Sequence, residues 1–156
     1  MGELTWFWQP KYTKGTNDVL LRMMVSQVQY QFTLWQATGS RQPAYSDSEL
    51  LRIAKLALSK SPIKVLVVFK EVYVGFLLLS KLDTVSGLMY SLDEFYIEEA
   101  YRGQGIGTQT LLHLQHVAKE NKVMGLCLNM FASNPARTLY ERFGFMPNTI
   151  KYNLVF

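Results

Sequence analysis

Three glycines at alternate positions stand in the run Arg102-Gly103-Gln104-Gly105-Ile106-Gly107, and Thr108 opens a helix-forming stretch directly after it. The alternating apolar strand Leu88 to Ile97 precedes them. Strand, glycine turn and helix start together aim backbone N–H groups and the positive end of a helix dipole at one point, which suits an anion such as a pyrophosphate. Glycine tolerates positive φ and lets backbone approach a ligand closely. The run fits neither G-x-x-x-x-G-K-[ST] nor G-x-G-x-x-G, which argues against a nucleoside-triphosphate loop and a dinucleotide fingerprint. Two adjacent carboxylates, Asp93 and Glu94, sit in the strand just upstream. Alternation places them on opposite faces, so only one can serve a reacting group unless a bulge changes the register. His113 and His116 are helical neighbours without a third ligand, and no metal is expected. Cys127 alternates within an apolar strand and reads as core.

The elements that must position these groups follow from periodicity. Leu4 to Gln9 reads as a first strand. Thr16-Asn17-Asp18 offers cap chemistry ahead of a helix carrying Met23, Met24, Gln27, Val28, Gln31 and Trp35, stopped by Gly39. Ser46 to Glu49 has the form of a capping box and opens a second helix to about Ser59. Lys64–Phe69, Tyr73–Leu82 and Leu88–Ile97 are strands joined by short turns, hence an antiparallel meander. A third helix spans Thr108–Asn121. The strand Met124–Met130 follows it and is expected parallel to the Leu88 strand. Ser133-Asn134-Pro135 starts a fourth helix with Pro135 at its first position, Gly144 ends it, and Thr149–Phe156 alternates like a closing strand. The expectation is an α/β fold: one domain over residues 1–156, with a mixed, mostly antiparallel sheet, about four helices, and the glycine loop between the fourth strand and the third helix.

The 156 residues are 49% hydrophobic with a formal charge of +4, which excludes a disordered chain and leaves room for a sizeable core. Lys and Arg are scattered, which fits a phosphorylated small ligand, and no nucleic-acid motif is visible. A single cysteine permits no intrachain disulfide. The N-terminal run MGELTWFWQP lacks a signal-peptide pattern, and the apolar stretch Ile63–Leu82 is cut by charges. No membrane contact and a cytoplasmic location are expected.

Arg102–Gly107 resembles the [QR]-x-x-G-x-[GA] loop of the GNAT N-acetyltransferase superfamily. Asn134 to Phe145, N-P-A-R-T-L-Y-E-R-F-G-F, resembles the family's last helix, with Asn, Ala, Tyr and Gly-Phe in the same order. The order of elements is similar too. This resemblance implies acetyl-coenzyme A or another acyl-coenzyme A as acyl donor, with a primary amine attacking it directly in a ternary complex. It assigns the pyrophosphate to the backbone amides of Gln104, Gly105, Ile106, Gly107 and Thr108, with Gly103 shaping the loop, the Thr108 hydroxyl as a further donor and Arg102 as a positive charge. The pantetheine arm would pair with the strand edge at Phe95, Tyr96 and Ile97. Asn134 and Arg137 become candidates for the pantetheine amides and the phosphates.

By the same resemblance Tyr140 faces the departing coenzyme A thiolate, and a thiol near pKa ~8.5 and a phenol near ~10 are close enough for protonation or stabilisation. Asp93 or Glu94 is the general base. The first two helices and the loop Gln36–Tyr45 shape the acceptor site, with Trp6, Trp8, Tyr30, Trp35 and Tyr45 as a possible apolar lining. That loop holds Arg41 and no acid, which points to a neutral or anionic acceptor, such as an amino-acid derivative, or a peptide N-terminus. A homodimer would be common for the family. A non-catalytic acyl-coenzyme A-binding module on the same fold is the alternative.

Overall fold

The computed structural model describes residues 3–8, 14–39, 43–152 and 154. In chain order these form β1 (Leu4–Trp8), α1 (Lys14–Gln36), α2 (Asp47–Lys60), β2 (Ile63–Phe69), β3 (Val72–Thr84), β4 (Gly87–Ile97), a 3-10 turn (Glu99–Tyr101), α3 (Ile106–Glu120), β5 (Gly125–Leu128) and α4 (Arg137–Phe143). The five strands make one sheet in the order β1-β2-β3-β4-β5, antiparallel throughout except for the parallel β4–β5 pair. Mixed sheet, flanking helices and the glycine loop between β4 and α3 are as expected.

Local chemistry accounts for most boundaries. The Ser46 hydroxyl accepts from the Glu49 N–H while the Glu49 carboxylate accepts from the Ser46 N–H at 2.8 Å, so α2 begins with both orphan donors satisfied. Lys70 and Glu71 both take positive φ, 49° and 65°, the geometry that lets two residues join twisted antiparallel strands. Helix α1 starts at Lys14, earlier than its cap signals suggest. The first turn has no intrahelical acceptors to lose, so Gly15, Thr16 and Asn17 sit there at little cost.

Other boundaries differ from the sequence reading too: β5 is shorter than expected, Gly125–Leu128 against Met124–Met130, because its pairing with β4 ends at Leu128. The bends between Gly103 and Gly105 are enough to deliver the chain into α3 at Ile106 rather than Thr108. Helix α4 starts at Arg137, because Asn134 and Pro135 are spent on the turn that precedes it: Asn134 Oδ1 accepts from the Ala136 N–H at 2.9 Å. Residues 149–152 and 154 alternate but form no strand, and the remainder of the expected closing strand lies outside the described residues.

The sheet has two covered faces. Leu20, Met23, Met24 and Val28 of α1 and Leu50 and Ala54 of α2 pack on Leu66, Phe76, Leu78 and Tyr96. Leu111, Leu114 and Ala118 of α3 and Tyr140 of α4 pack on Val65, Leu77, Leu79, Tyr90 and Leu92. Within β4, then, Leu92 faces α3 while Tyr96 faces α1, which strict alternation forbids. The break is a bulge: Leu79 pairs with Leu92 and Leu78 with Glu94, leaving Asp93 as the extra residue. Strand β5 pairs with β4 only from Met89 to Leu92, so beyond the bulge one edge of β4 has no neighbouring strand among the described residues.

Candidate active site

A cleft of about 210 Å3 opens where β5 stops pairing with β4. Its walls are Leu92 to Phe95 of β4, Gln27 and Gln31 of α1, Leu128 with the loop after it as far as Asn134, and Tyr140 of α4. No lysine or arginine lines it. The Ser133 hydroxyl donates to the Leu34 carbonyl at 3.2 Å, tying the loop after β5 to the end of α1.

The bulge decides what Asp93 and Glu94 do. By exchanging the faces of β4, it turns Glu94 toward α1, where Gln31 Nε2 and Gln27 Nε2 both donate to Glu94 Oε2, at 2.7 and 3.1 Å. Burial pushes the Glu94 carboxyl above its ordinary value; the two amides pull it down, and neighbouring Asp93 pushes it up again. Asp93 is exposed, with one oxygen accepting from the Ser61 hydroxyl and the other from the Ser91 hydroxyl, both at 2.8 Å. Both carboxylates therefore reach the cleft, which alternation alone would not allow. Gln27 and Gln31 are the residues that sequence reasoning missed as site residues; four apart, they share one face of α1.

Tyr140 is buried, 7% exposed, and its hydroxyl has no hydrogen-bond partner among the described residues. It rests edge-on against Phe145, and burial, with the Glu94 charge second, pushes its phenol up to about 12. A phenol that weak keeps its proton throughout the neutral range and acts as a hydrogen-bond donor. Full transfer to a thiolate near ~8.5 would run uphill by ~3 to 4 pKa units. Of the two expected roles, protonation or stabilisation of a thiolate, the raised value favours stabilisation by hydrogen-bond donation.

The glycine loop lies at the other end of the unpaired β4 edge. Gly103 and Gly105 take φ of +73° and +82°, and a Cβ at either would meet no protein atom within 4 Å. Their absent side chains therefore leave open space, whereas a Cβ at Gly107 would sit 3.3 Å from Leu139 Cδ2, a tight contact with the end of that side chain. The N–H groups of Ile106, Gly107 and Thr108 form the first turn of α3, where no preceding carbonyl accepts them. Such a concave row of amides fits the pyrophosphate of a coenzyme A ester.

The charged candidates are less free. Arg102 Nε donates to the Ile97 carbonyl at 2.7 Å, and its guanidinium lies over the rings of Tyr30 and Tyr96, so it braces the loop. Arg137 is exposed and pairs with Glu141 at 2.7 Å on its own helix. Gln104 reaches back to the Ala100 carbonyl at 3.3 Å. Phe95 contributes its carbonyl to Gln27, at 3.4 Å, and Tyr96 donates its hydroxyl to Glu98 at 3.1 Å. Ile97 packs near the loop with Ile106 and Tyr101.

None of the five aromatic residues expected around the acceptor lines the cleft. Trp6 and Trp8 sit on β1, at the opposite edge of the sheet from β5, and clasp His113: Trp6 stacks on it at 4.1 Å and Trp8 Nε1 donates to its Nε2 at 2.8 Å. Tyr30 lies beneath Arg102, and Trp35 and Tyr45 flank Phe32.

Comparison with known proteins agrees with this fold. A spermine/spermidine N(1)-acetyltransferase of Bacillus subtilis is 44% identical over 68 residues, 42% of this chain and 44% of that protein. The match therefore spans less than half of that relative's length. A putative acetyl transferase from Pyrococcus furiosus superposes with a TM-score of 0.75 at 19% identity, over 99% of this chain and 100% of the other. A predicted acetyltransferase from Clostridium acetobutylicum, solved with acetyl-CoA, gives 0.63 at 19% identity, over 98% and 96%. No described helix is long and apolar enough to cross a membrane. The model of the acetyltransferase (GNAT) family matches residues 29–145, most of the chain and every cleft-lining residue except Gln27, and the chain belongs to that family of acetyl-CoA-dependent acetyltransferases.

Proposed function

We propose that the protein acetylates a primary amine of a small cationic acceptor, a polyamine by preference, by direct attack in a ternary complex. The observation that carries this reading is the confrontation of Glu94 and Tyr140 across one cleft that no basic residue lines. Acetyl-CoA, when bound, supplies a thioester carbonyl open to attack. The chain's own part is to bind, orient and move a proton. The amides of Gln104 to Thr108, with the backbone bends at Gly103 and Gly105, hold the pyrophosphate. The free edge of β4 from Phe95 to Ile97 receives the pantetheine arm and offers N–H groups that polarise the carbonyl. Asn134 lines the same cleft as Glu94 and Tyr140 and would meet the pantetheine amides, Arg102 braces the glycine loop, and Arg137 at the start of α4 is a further candidate for the phosphates.

A primary amine with pKa ~10.4 is about one part in 10³ neutral at pH 7, so a base is needed. Glu94 fits that role: burial raises its carboxyl, the two glutamine amides hold one of its oxygens, and it shares the cleft with Tyr140, which donates toward the departing sulfur. Asp93, an exposed carboxylate at the rim, supplies a second negative charge. Two carboxylates in a cleft without cations favour an ammonium-bearing acceptor over the neutral or anionic one that the Gln36–Tyr45 loop suggests. The spermine/spermidine acetyltransferase among the relatives supports the same acceptor class.

The test is coenzyme A release from acetyl-CoA, read with a thiol reagent, over a panel of polyamines, amino-acid amides and short peptides. Turnover should be fastest with spermidine or spermine and should fall when salt screens the cleft. Tight acetyl-CoA binding with no turnover on the whole panel would instead mark a non-catalytic binding module.

A further inference from the structure

We propose that Gln27 and Gln31 are positioning residues that hold Glu94 by one carboxylate oxygen and leave the other facing the cleft as the proton acceptor. This rests on the reading of Glu94 as the general base.

The geometry is specific. Two amide groups from successive turns of α1 converge on a single atom, Oε2, at 2.7 and 3.1 Å, while Oε1 has no hydrogen-bond partner among the described residues. Gln27 Nε2 also reaches the Phe95 carbonyl at 3.4 Å, so the same amide ties the carboxylate to the backbone just past the bulge. Rotation of the Glu94 carboxyl would break both glutamine contacts at once. A proton can pass from the acceptor's ammonium to Oε1, directly or through one water, leaving a neutral amine with its lone pair free and Glu94 as the neutral acid.

The chemistry of the holders matters as much as their placement. An arginine at either position would pair with Glu94 and drive its carboxyl far below neutral, making it a poor base. Amides orient the anion without carrying charge, so the opposing effect of burial survives. Among the described residues, the charged or titratable groups that act on Glu94 or are acted on by it are Asp93 on its own strand and Tyr140 on α4, and its hydrogen bonds from α1 come from the two glutamines. Gln27 is itself buried, 8% exposed, a site where a long polar side chain needs a partner, and Glu94 is that partner.

Gln31→Met and Gln27→Met, made singly, test this. Each removes one donor at similar length, so the Glu94 carboxyl should titrate ~0.5 to 1 unit higher. The shift is read directly in the ligand-free protein by 13C NMR of labelled glutamate carboxyls, with Glu94→Gln to assign the signal. The acidic limb of kcat/KM should move with it, so that activity falls ~3- to 10-fold more on the acidic side than on the alkaline side. An unmoved Glu94 titration in both variants overturns the proposal, as does an equal loss of activity at every pH. If Glu94→Gln keeps both activity and the acidic limb, the base assignment itself is wrong, whatever the glutamine variants do.

Discussion

His113 on α3 and Glu94 on β4 are both pushed toward their neutral forms by burial, the histidine downward and the carboxyl upward. Their surroundings nevertheless differ in kind. His113 is enclosed: Trp6 stacks on its face, Trp8 donates to its Nε2, and Trp6 Nε1 is bound to Thr110 on the next turn at 3.1 Å. The groups of that cluster satisfy one another, and its work is to fix β1 onto α3. Glu94 is held at one oxygen only, in the same cleft as Tyr140, whose ring is buried while its accessible hydroxyl has no partner among the described residues. A shifted pKa is thus common to a clasp and a site; open polar atoms converging on one cleft separate them.

The largest expected effect breaks the site side of this comparison. Glu94→Gln should lower kcat/KM at neutral pH by ~10² to 10⁴ and remove the acidic limb of the profile. Stability should respond in the opposite sense. The Glu94 carboxyl is raised in the folded protein, so its contribution is full below the unfolded value and is lost as pH rises through the folded one. In thermal melts Glu94→Gln should therefore gain relative to the parent at alkaline pH and not at acidic pH. Tyr140→Phe comes next: kcat should fall ~10- to 100-fold with acetyl-CoA affinity nearly constant, as titration calorimetry would show. Gly105→Ala should weaken acetyl-CoA binding about tenfold by the same calorimetry, because a Cβ at φ +82° costs ~1–2 kcal/mol and points into the space left for the ligand.

The smallest effect belongs to the clasp. Trp8→Phe removes one part-buried hydrogen bond and should cost ~1 kcal/mol in urea unfolding, with kcat/KM per folded molecule unaltered. The lowered His113 value carries its own sign. Its stabilisation is full above the unfolded pKa of ~6.5 and is lost as pH falls through the folded value, so melts followed by tryptophan fluorescence should show a loss that His113→Gln lacks. Equal sensitivity of activity to both clusters would erase the distinction drawn between them.

What was legible in the chain is what short-range chemistry decides. The capping box at Ser46, the turn at Lys70-Glu71 and the glycine loop each depend on a few adjacent residues, and each stands where the residues put it. The bulge at Asp93 has no glycine or proline to announce it; it exists only in the pairing of β4 with β3. Everything downstream of the bulge was hidden with it: which way Glu94 turns, and that Gln27 and Gln31, plain members of the α1 stripe, become its holders. Trp6 and Trp8 misled because aromatic residues suit a ligand pocket and a core equally, and strand order alone puts β1 at the far edge. The run from Thr149 alternates as a strand does, but alternation alone does not make a strand, and its described residues pair with none.

The central claim is that transfer occurs between Glu94 and Tyr140, and a crystal structure with coenzyme A and spermidine bound tests it most directly. The coenzyme A sulfur should lie within hydrogen-bond reach of the Tyr140 hydroxyl, a spermidine nitrogen beside Glu94 Oε1, and the pyrophosphate on the amides of Gln104 to Thr108. A sulfur remote from Tyr140, or an amine bound away from the β4 bulge, would contradict it.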